Sequence, residues 1–411
     1  MAHLPRRSLA LALTGGAATA LILTGCASGD GTAAPSATDF SGVSLTVWNT
    51  IDYDPYQSLQ KQYFEDCADQ LGVTVDVQTI TDSTSKYLQA ASSKSFPDIA
   101  QLSTDVQLPL FASQGVLADL GALGVTTDGQ TDSVADLGTY DGTLYGVTTN
   151  VEDYVLFYDK AAFAAAGITE PPATFEELVA DAKALTSSGE YGIVLPGEGT
   201  DGAAPVYFLP FLLSAGGDPA EPTSDGAVAA VDLYKQLFDD GSLSKEFVNW
   251  GWDSSEQWTG QKAAIQVSGP WNLVDTSIPF EYGTAPIPTL NAGEDPQVTL
   301  LGYTYGVAAS DDANKQAAAA ALLQCRASEE NQLETAVQGG YIPALTSAQE
   351  SFVEQVPAAQ SFVDAIPNAF NAASLGTDWN ELQQVYVAAI QNATVNGVSA
   401  KDALAEAAPQ G

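Results

Sequence analysis

The chain has 411 residues, 51 Asp and Glu against 13 Lys and Arg, a formal net charge of -38, and one His, three Cys and one Met. A chain this anionic does not bind nucleic acid or an anionic membrane through counterion release. With His3 the sole histidine and arginine scarce, a triad with a His base, a His-ligated metal and an arginine-based dinucleotide clamp are excluded as well. Length fits two or three domains, and 45% hydrophobic residues is ample for full cores.

The first 25 residues hold Arg6 and Arg7 but no acid, followed by an apolar stretch over 9–23. That stretch is short for a membrane span and right for a secretory signal. It ends Leu23-Thr24-Gly25-Cys26, which looks like a bacterial lipobox, with Cys26 lipidated as the first mature residue. The alternative is an ordinary signal peptide with an incidental cysteine. Residues 26–41 are rich in Ala, Ser, Gly and Thr without periodicity, as in a flexible tether. Removing residues 1–25 leaves 51 acids, 11 bases, a net charge of -40 and a single arginine, Arg326.

Beyond the tether, Val43, Leu45 and Val47 alternate with polar residues, as do Val73, Val75 and Val77, predicting two strands. Between them Asp54-Pro55 opens a helix carrying Tyr56, Leu59, Tyr63, Cys67 and Leu71 at helical spacing. Thr174-Phe175-Glu176-Glu177 is a capping box opening a helix with Leu178, Val179 and Leu185 on one face. A buried strand is expected over 192–195, a helix over 227–238 stopping at Gly241, and a helix over 317–325 ending at Cys325. The pattern is α/β throughout, without a dinucleotide fingerprint or P-loop, and the acidic glycine-rich run 197–202 reads as a surface loop. Cys67 and Cys325 each fall on the apolar side of a predicted helix, and export permits a disulfide between them. Two buried free thiols are the other possibility. No cationic cluster is present to activate either as a nucleophile.

A series of segments then resembles the extracellular solute-binding proteins of ABC importers, in the sugar-binding branch that includes maltose-binding proteins. The segments are Leu45-Thr46-Val47-Trp48, Phe96-Pro97-Asp98-Ile99, 115–120, 141–147, Leu156-Phe157-Tyr158-Asp159-Lys160, 171–178, 260–265 with Gly269-Pro270-Trp271, and Gly339-Gly340-Tyr341-Ile342-Pro343-Ala344. Each is weak alone, and their order over nearly the whole mature chain carries the resemblance. It implies a two-lobe periplasmic-binding-protein fold of type II, each lobe a mixed sheet flanked by helices with the ligand between them. Lobe 1 would comprise 42–148 and 301–345, lobe 2 149–300 and 346–411. Both Cys67 and Cys325 would then lie in lobe 1, which fits a disulfide. The resemblance further implies a monomer, anchored by lipid on the outer face of the cell membrane. It would deliver a saccharide to permease subunits, without a cofactor, metal or catalytic residues.

A neutral saccharide needs planar aromatics for its C–H face and carboxylates or amides for its hydroxyls. Trp271, after the Gly-Pro turn, matches the family position that stacks a pyranose, and Trp379 lies near the family's other stacking tryptophan. Tyr207 and Trp252 are further aromatic candidates. Asp52 after the first strand, Asp105 after Asp98-Ile99, and Glu152 at a crossing between lobes match hydroxyl-binding carboxylates. Asn49, Asn150, Tyr303 and Tyr305 adjoin predicted crossings and rank second. The family's maltose binders also place basic residues near the ligand. Here Arg326 alone lies between Lys315 and Lys401, a departure from that pattern. An acidic cleft would equally suit a polyamine or another cationic small molecule. A glycoside hydrolase would need a defined carboxylate pair, which 51 acids do not single out.

Overall fold

In a computed structural model, residues 39–187, 190–200, 202–372, 374–375 and 379–408 are described. The signal segment, Cys26 and nearly all of the tether lie outside these residues, while Phe40, assigned to the tether, packs against an apolar core. Among the described residues no helix is long and apolar enough to cross a membrane.

The strands in chain order are β1 (Ser44–Asn49), β2 (Thr74–Thr79), β3 (Ile99–Ser103), β4 (Thr139–Tyr140), β5 (Thr143–Leu144), β6 (Gly146–Glu152) and β7 (Val155–Asp159). They continue as β8 (Tyr191–Val194), β9 (Ala263–Ser268), β10 (Tyr282–Ala285), β11 (Thr299–Val307), β12 (Ile342–Pro343) and β13 (Phe370–Asn371). The larger sheet has the order β12-β6-β11-β3-β1-β2 with β13 on β11, the smaller the order β10-β7-β9-β8, and β4 and β5 form a separate hairpin.

In β1 the period-two alternation buries Leu45, Val47 and Asn49 on one face. β1 runs parallel to β2 and β3, with Val47 opposite both Val77 and Ile99, whereas β11 runs antiparallel to β3 and β6. The carboxyl ends of β1, β3 and β6 therefore come out on one edge of the sheet, the edge where open α/β sheets hold ligands. The chain leaves that edge at Glu152 and, after two intervening residues, enters β7 of the smaller sheet.

The helix α1 (Tyr56–Leu71) buries Tyr56, Leu59, Tyr63 and Cys67 at the expected spacing and ends at Gly72 in the left-handed region. Cys67 is disulfide-bonded to Cys325, with 5.9 Å between their Cα atoms. The bond pins α1 to the helix Ala313–Arg326, which starts four residues before the expected 317. The capping box closes as predicted: Glu177 N–H donates to Thr174 Oγ1 at 3.2 Å, and Thr174 N–H donates to Glu177 Oε2 at 3.1 Å. The core beside the smaller sheet is built around the helix Ala203–Ser214, buried nearly all round, against which Asp225–Asp239 and Trp379–Thr394 pack.

Candidate ligand-binding cleft

A cavity of about 790 Å³ opens at the carboxyl edge of the larger sheet. The turn after β1 contributes Asp52, Tyr53 and Asp54, β6 contributes Glu152, β11 contributes Tyr303, the end of the helix Glu329–Gly339 contributes Gln338 and Gly339, and Tyr341 precedes β12. From elements around the smaller sheet come Tyr207, Trp252 and Trp271, with Val274, Asp275 and Thr276 beside them. Six residues expected from sequence thus share one cavity: Asp52, Glu152, Tyr207, Trp252, Trp271 and Tyr303.

Four aromatic rings form a closed circuit on one side. Tyr154 lies 5.1 Å from Tyr207, Tyr207 5.8 Å from Trp252, Trp252 6.2 Å from Trp271, and Trp271 5.9 Å from Tyr154, by ring centroids. Three of the four contacts are edge-to-face, the arrangement favoured by ring quadrupoles. Tyr154 and Tyr207 are buried and brace the wall, while Trp252 is 43% exposed and Trp271 half-buried. Trp271 is seated on backbone: a Cβ at Gly269 would lie 2.2 Å from its ring, so only glycine lets the indole lie there.

The facing side is tyrosine-rich. Tyr56 lies 6.1 Å from Tyr53 and 5.0 Å from Tyr341, and the Tyr53 hydroxyl donates to the Gly339 carbonyl at 3.4 Å. Burial pushes the Tyr53 phenol up to about 12. Beneath these rings runs a polar layer. Tyr56 donates to Asn150 Oδ1 at 3.2 Å and accepts from Gln101 Nε2 at 3.0 Å, and Tyr305 donates to Asn49 Oδ1 at 3.0 Å.

That layer corrects three sequence-based assignments. Asn49, Asn150 and Tyr305 are all buried below the cavity and are absent from its lining. Tyr303 and Tyr305 share a face of β11, but Tyr303 pairs with Ser103 at the end of β3 whereas Tyr305 pairs with Gln101, two residues deeper. Trp379 is also corrected. It opens the helix Trp379–Thr394, is 1% exposed, and packs in the core around Ala203–Ser214. Asp105 sits in the turn after β3, outside the lining yet close enough to act on Glu152.

Burial, and next the Asp105 charge, push the Glu152 carboxyl up to about 8. Asp105 is itself raised by burial, partly offset by hydrogen bonds from the Ser103 hydroxyl and backbone N–H groups. Neighbouring Asp153 is buried with both oxygens unpartnered, and burial holds it well above the usual carboxylate range. Arg326 does not balance these acids from the cleft. Its guanidinium lies 4.3 Å over the Tyr305 ring and donates to Gln60 Oε1 and Thr149 Oγ1.

Sequence reasoning missed Tyr53, Tyr341 and Tyr154. Tyr53 directly follows Asp52, Tyr154 lies two residues after Glu152, and Tyr341 is within the Gly339–Ala344 motif. Adjacency to those landmarks was the available signal.

Two α/β sheets with an aromatic and carboxylate cleft at a strand edge define a two-lobe ligand-binding protein. The family profile for bacterial extracellular solute-binding proteins matches residues 62–362, and the chain belongs to that family. Its members are substrate-binding proteins, not enzymes, and work outside the cytoplasm. The chain is 25% identical over 330 residues to the diacetylchitobiose binding protein of Streptomyces coelicolor, covering 76% of each chain. It is 26% identical over 279 residues to a maltodextrin-binding protein of Bacillus subtilis, covering 61% of this chain and 63% of that one. The fold is that of the cyclic alpha-maltosyl-1,6-maltose binding protein of Arthrobacter globiformis, with TM-score 0.76, 24% identity, and 89% and 97% of the two chains covered.

Proposed function

We propose that the chain captures a mono- or oligosaccharide, expected from the sequence to be neutral, and delivers it to the membrane permease of an ABC importer. The observation that carries this reading is the placement of Trp252 and Trp271 across one cavity from Asp52, Tyr53 and Glu152. The indoles suit the C–H face of a pyranose and the carboxylates its paired hydroxyls.

In this reading 42–148 with 301–345 and 149–300 with 346–411 are lobes that close on the sugar. Closure dominates because the bound ligand gains contacts from the second lobe. Cys26 carries the lipid that holds the monomer at the outer face of the membrane. A micromolar Kd corresponds to about -8 kcal/mol, within reach of two stacked indoles and a handful of hydroxyl pairs.

The carboxylates of the cleft support a second ligand class, a polyamine or other cationic small molecule. Thermal stabilisation across a panel of mono- and oligosaccharides with spermidine alongside separates the two. A shift with a saccharide that Trp271→Ala abolishes supports the proposal. A shift with spermidine alone overturns it.

A further inference from the structure

Four carboxylates line the cavity, Asp52, Asp54, Glu152 and Asp275, and its lining holds no lysine, arginine or histidine. The four ion pairs among the described residues are Lys61–Glu65, Lys160–Glu281, Lys235–Asp239 and Lys315–Asp98, none of them in the cavity. Arg326 is held beneath it by Tyr305, Gln60 and Thr149. Among the described residues the carboxylates of the cleft thus have no cationic partner.

A cation that pairs with these carboxylates would arrive as a metal ion or as part of the ligand. Among the described residues no three His, Cys, Asp or Glu side chains come together in a way that could hold a metal. The lining carboxylates come from three separate segments, the turn after β1, the end of β6 and the stretch after Trp271, which suits an organic cation. Trp252 and Trp271 face the same space, and indole faces attract ammonium groups as well as C–H surfaces.

We propose that, among saccharides, this cleft prefers those carrying a protonated amine over neutral ones, with the ammonium seated against Glu152. The preference rests on the saccharide reading above. Glu152 is faced by Asp105 and Asp153 and by the phenols of Tyr53, Tyr154, Tyr303 and Tyr341, none of them cationic. The Tyr154 hydroxyl among them is buried without a hydrogen-bond partner. With its carboxyl pushed up to about 8, Glu152 holds its proton below neutrality. An arriving ammonium makes an N–H···O contact with the carboxylate, and the displaced proton goes to solvent. A neutral hydroxyl leaves that proton in place.

The test is calorimetry of the full-length protein at about pH 6.5 in two buffers of different ionisation enthalpy, where the amine is charged and Glu152 is not. The probes are glucosamine, its β-1,4-linked disaccharide, the diacetylated disaccharide, maltose and spermidine. An aminated sugar should bind at least about tenfold tighter than its acetylated counterpart and release a proton on binding. Glu152→Gln should remove both the preference and the proton release. Should that variant fail to fold, Asp105→Asn should reduce the proton release instead, because it removes the charge that helps to raise Glu152. Neutral sugars binding as tightly as aminated ones would overturn the preference and leave the saccharide reading standing. Binding of spermidine with no sugar would overturn both. Failure of every aminated probe would overturn the preference.

Discussion

The backbone of Gly340 lies directly against that of Trp271, so that a Cβ at Gly340 would stand 2.6 Å from Trp271 Cα. Gly340 ends the helix Glu329–Gly339 and precedes β12 of the larger sheet, while Trp271 follows β9 of the smaller one. The principal indole of the cleft is therefore seated against the edge that carries the facing tyrosines. Gly340 also has φ +71, a conformation costly for any residue with a Cβ.

Gly340→Ala should destabilise the fold by roughly 1–3 kcal/mol, combining backbone strain with a forced separation of the two segments. A thermal melt measures the stability loss. Ligand titration of the same variant should show weaker binding, because Trp271 moves with the turn. Wild-type stability together with wild-type affinity would show that the contact is not rigid.

Gly269→Ala isolates the indole's seat. A Cβ there would be 2.2 Å from the Trp271 ring, and the ring is the part that can turn away. Affinity for the best ligand should fall at least about tenfold, the loss of one stacked aromatic contact, with a small change in melting temperature. Trp271→Ala should lose ligand-induced stabilisation altogether. Equal binding by both variants and the unaltered protein would remove Trp271 from the ligand contacts.

Much of this site could be read in advance where a local rule decides position. The Gly269-Pro270 turn, the capping box at Thr174 and the alternation in β1 each act within a few residues, and each is present as expected. Depth below the cleft is a different matter. Tyr303 and Tyr305 obey the same alternation, and only the pairing of β11 with β3 decides that one lines the cavity and the other lies under Arg326. Trp379 failed for a related reason: its spacing to a family position does not say whether the first turn of Trp379–Thr394 meets the cleft or the helix Ala203–Ser214.

Arg326 should matter for stability and not for the ligand. It is 2% exposed, lies over Tyr305 and Phe64, and bonds Gln60 on α1 and Thr149 on β6. Arg326→Lys keeps the charge but loses the planar fork that serves both partners at once. The expected cost is about 1–3 kcal/mol, set by the unpaired Gln60 and Thr149 oxygens, with ligand affinity unchanged. A selective loss of affinity would show that the buried layer reports directly to the cleft.

The Cys67–Cys325 bond closes a loop with a sequence separation of 258. On the chain-entropy account, a loop of that length corresponds to about 5.5 kcal/mol of stabilisation. Reduction, or Cys67→Ser with Cys325→Ser, should lower the denaturant midpoint markedly at unchanged ligand affinity, since both residues pack with the core of the larger sheet, remote from the cavity lining. An unchanged midpoint would mean that α1 and the helix Ala313–Arg326 are held by packing alone.

Stability should also depend on pH through the acids at the strand edge. Glu152 in the folded chain titrates near 8, above its unfolded value, so the native state binds its proton more tightly. Its contribution is then fully present below the unfolded pKa, declines as pH rises through that value toward the folded one, and is constant above. Asp105 and Asp153, both raised by burial, act in the same direction. Melting temperatures across pH 4 to 9 should therefore fall on the alkaline side, and Glu152→Gln should flatten part of that fall while Asp105 and Asp153 keep the rest. The variant should also gain stability relative to the unaltered protein at about pH 8, because it no longer has to bury a charge. A profile identical in the two proteins would place Glu152 in a solvated environment and remove the basis for its proton release on amine binding.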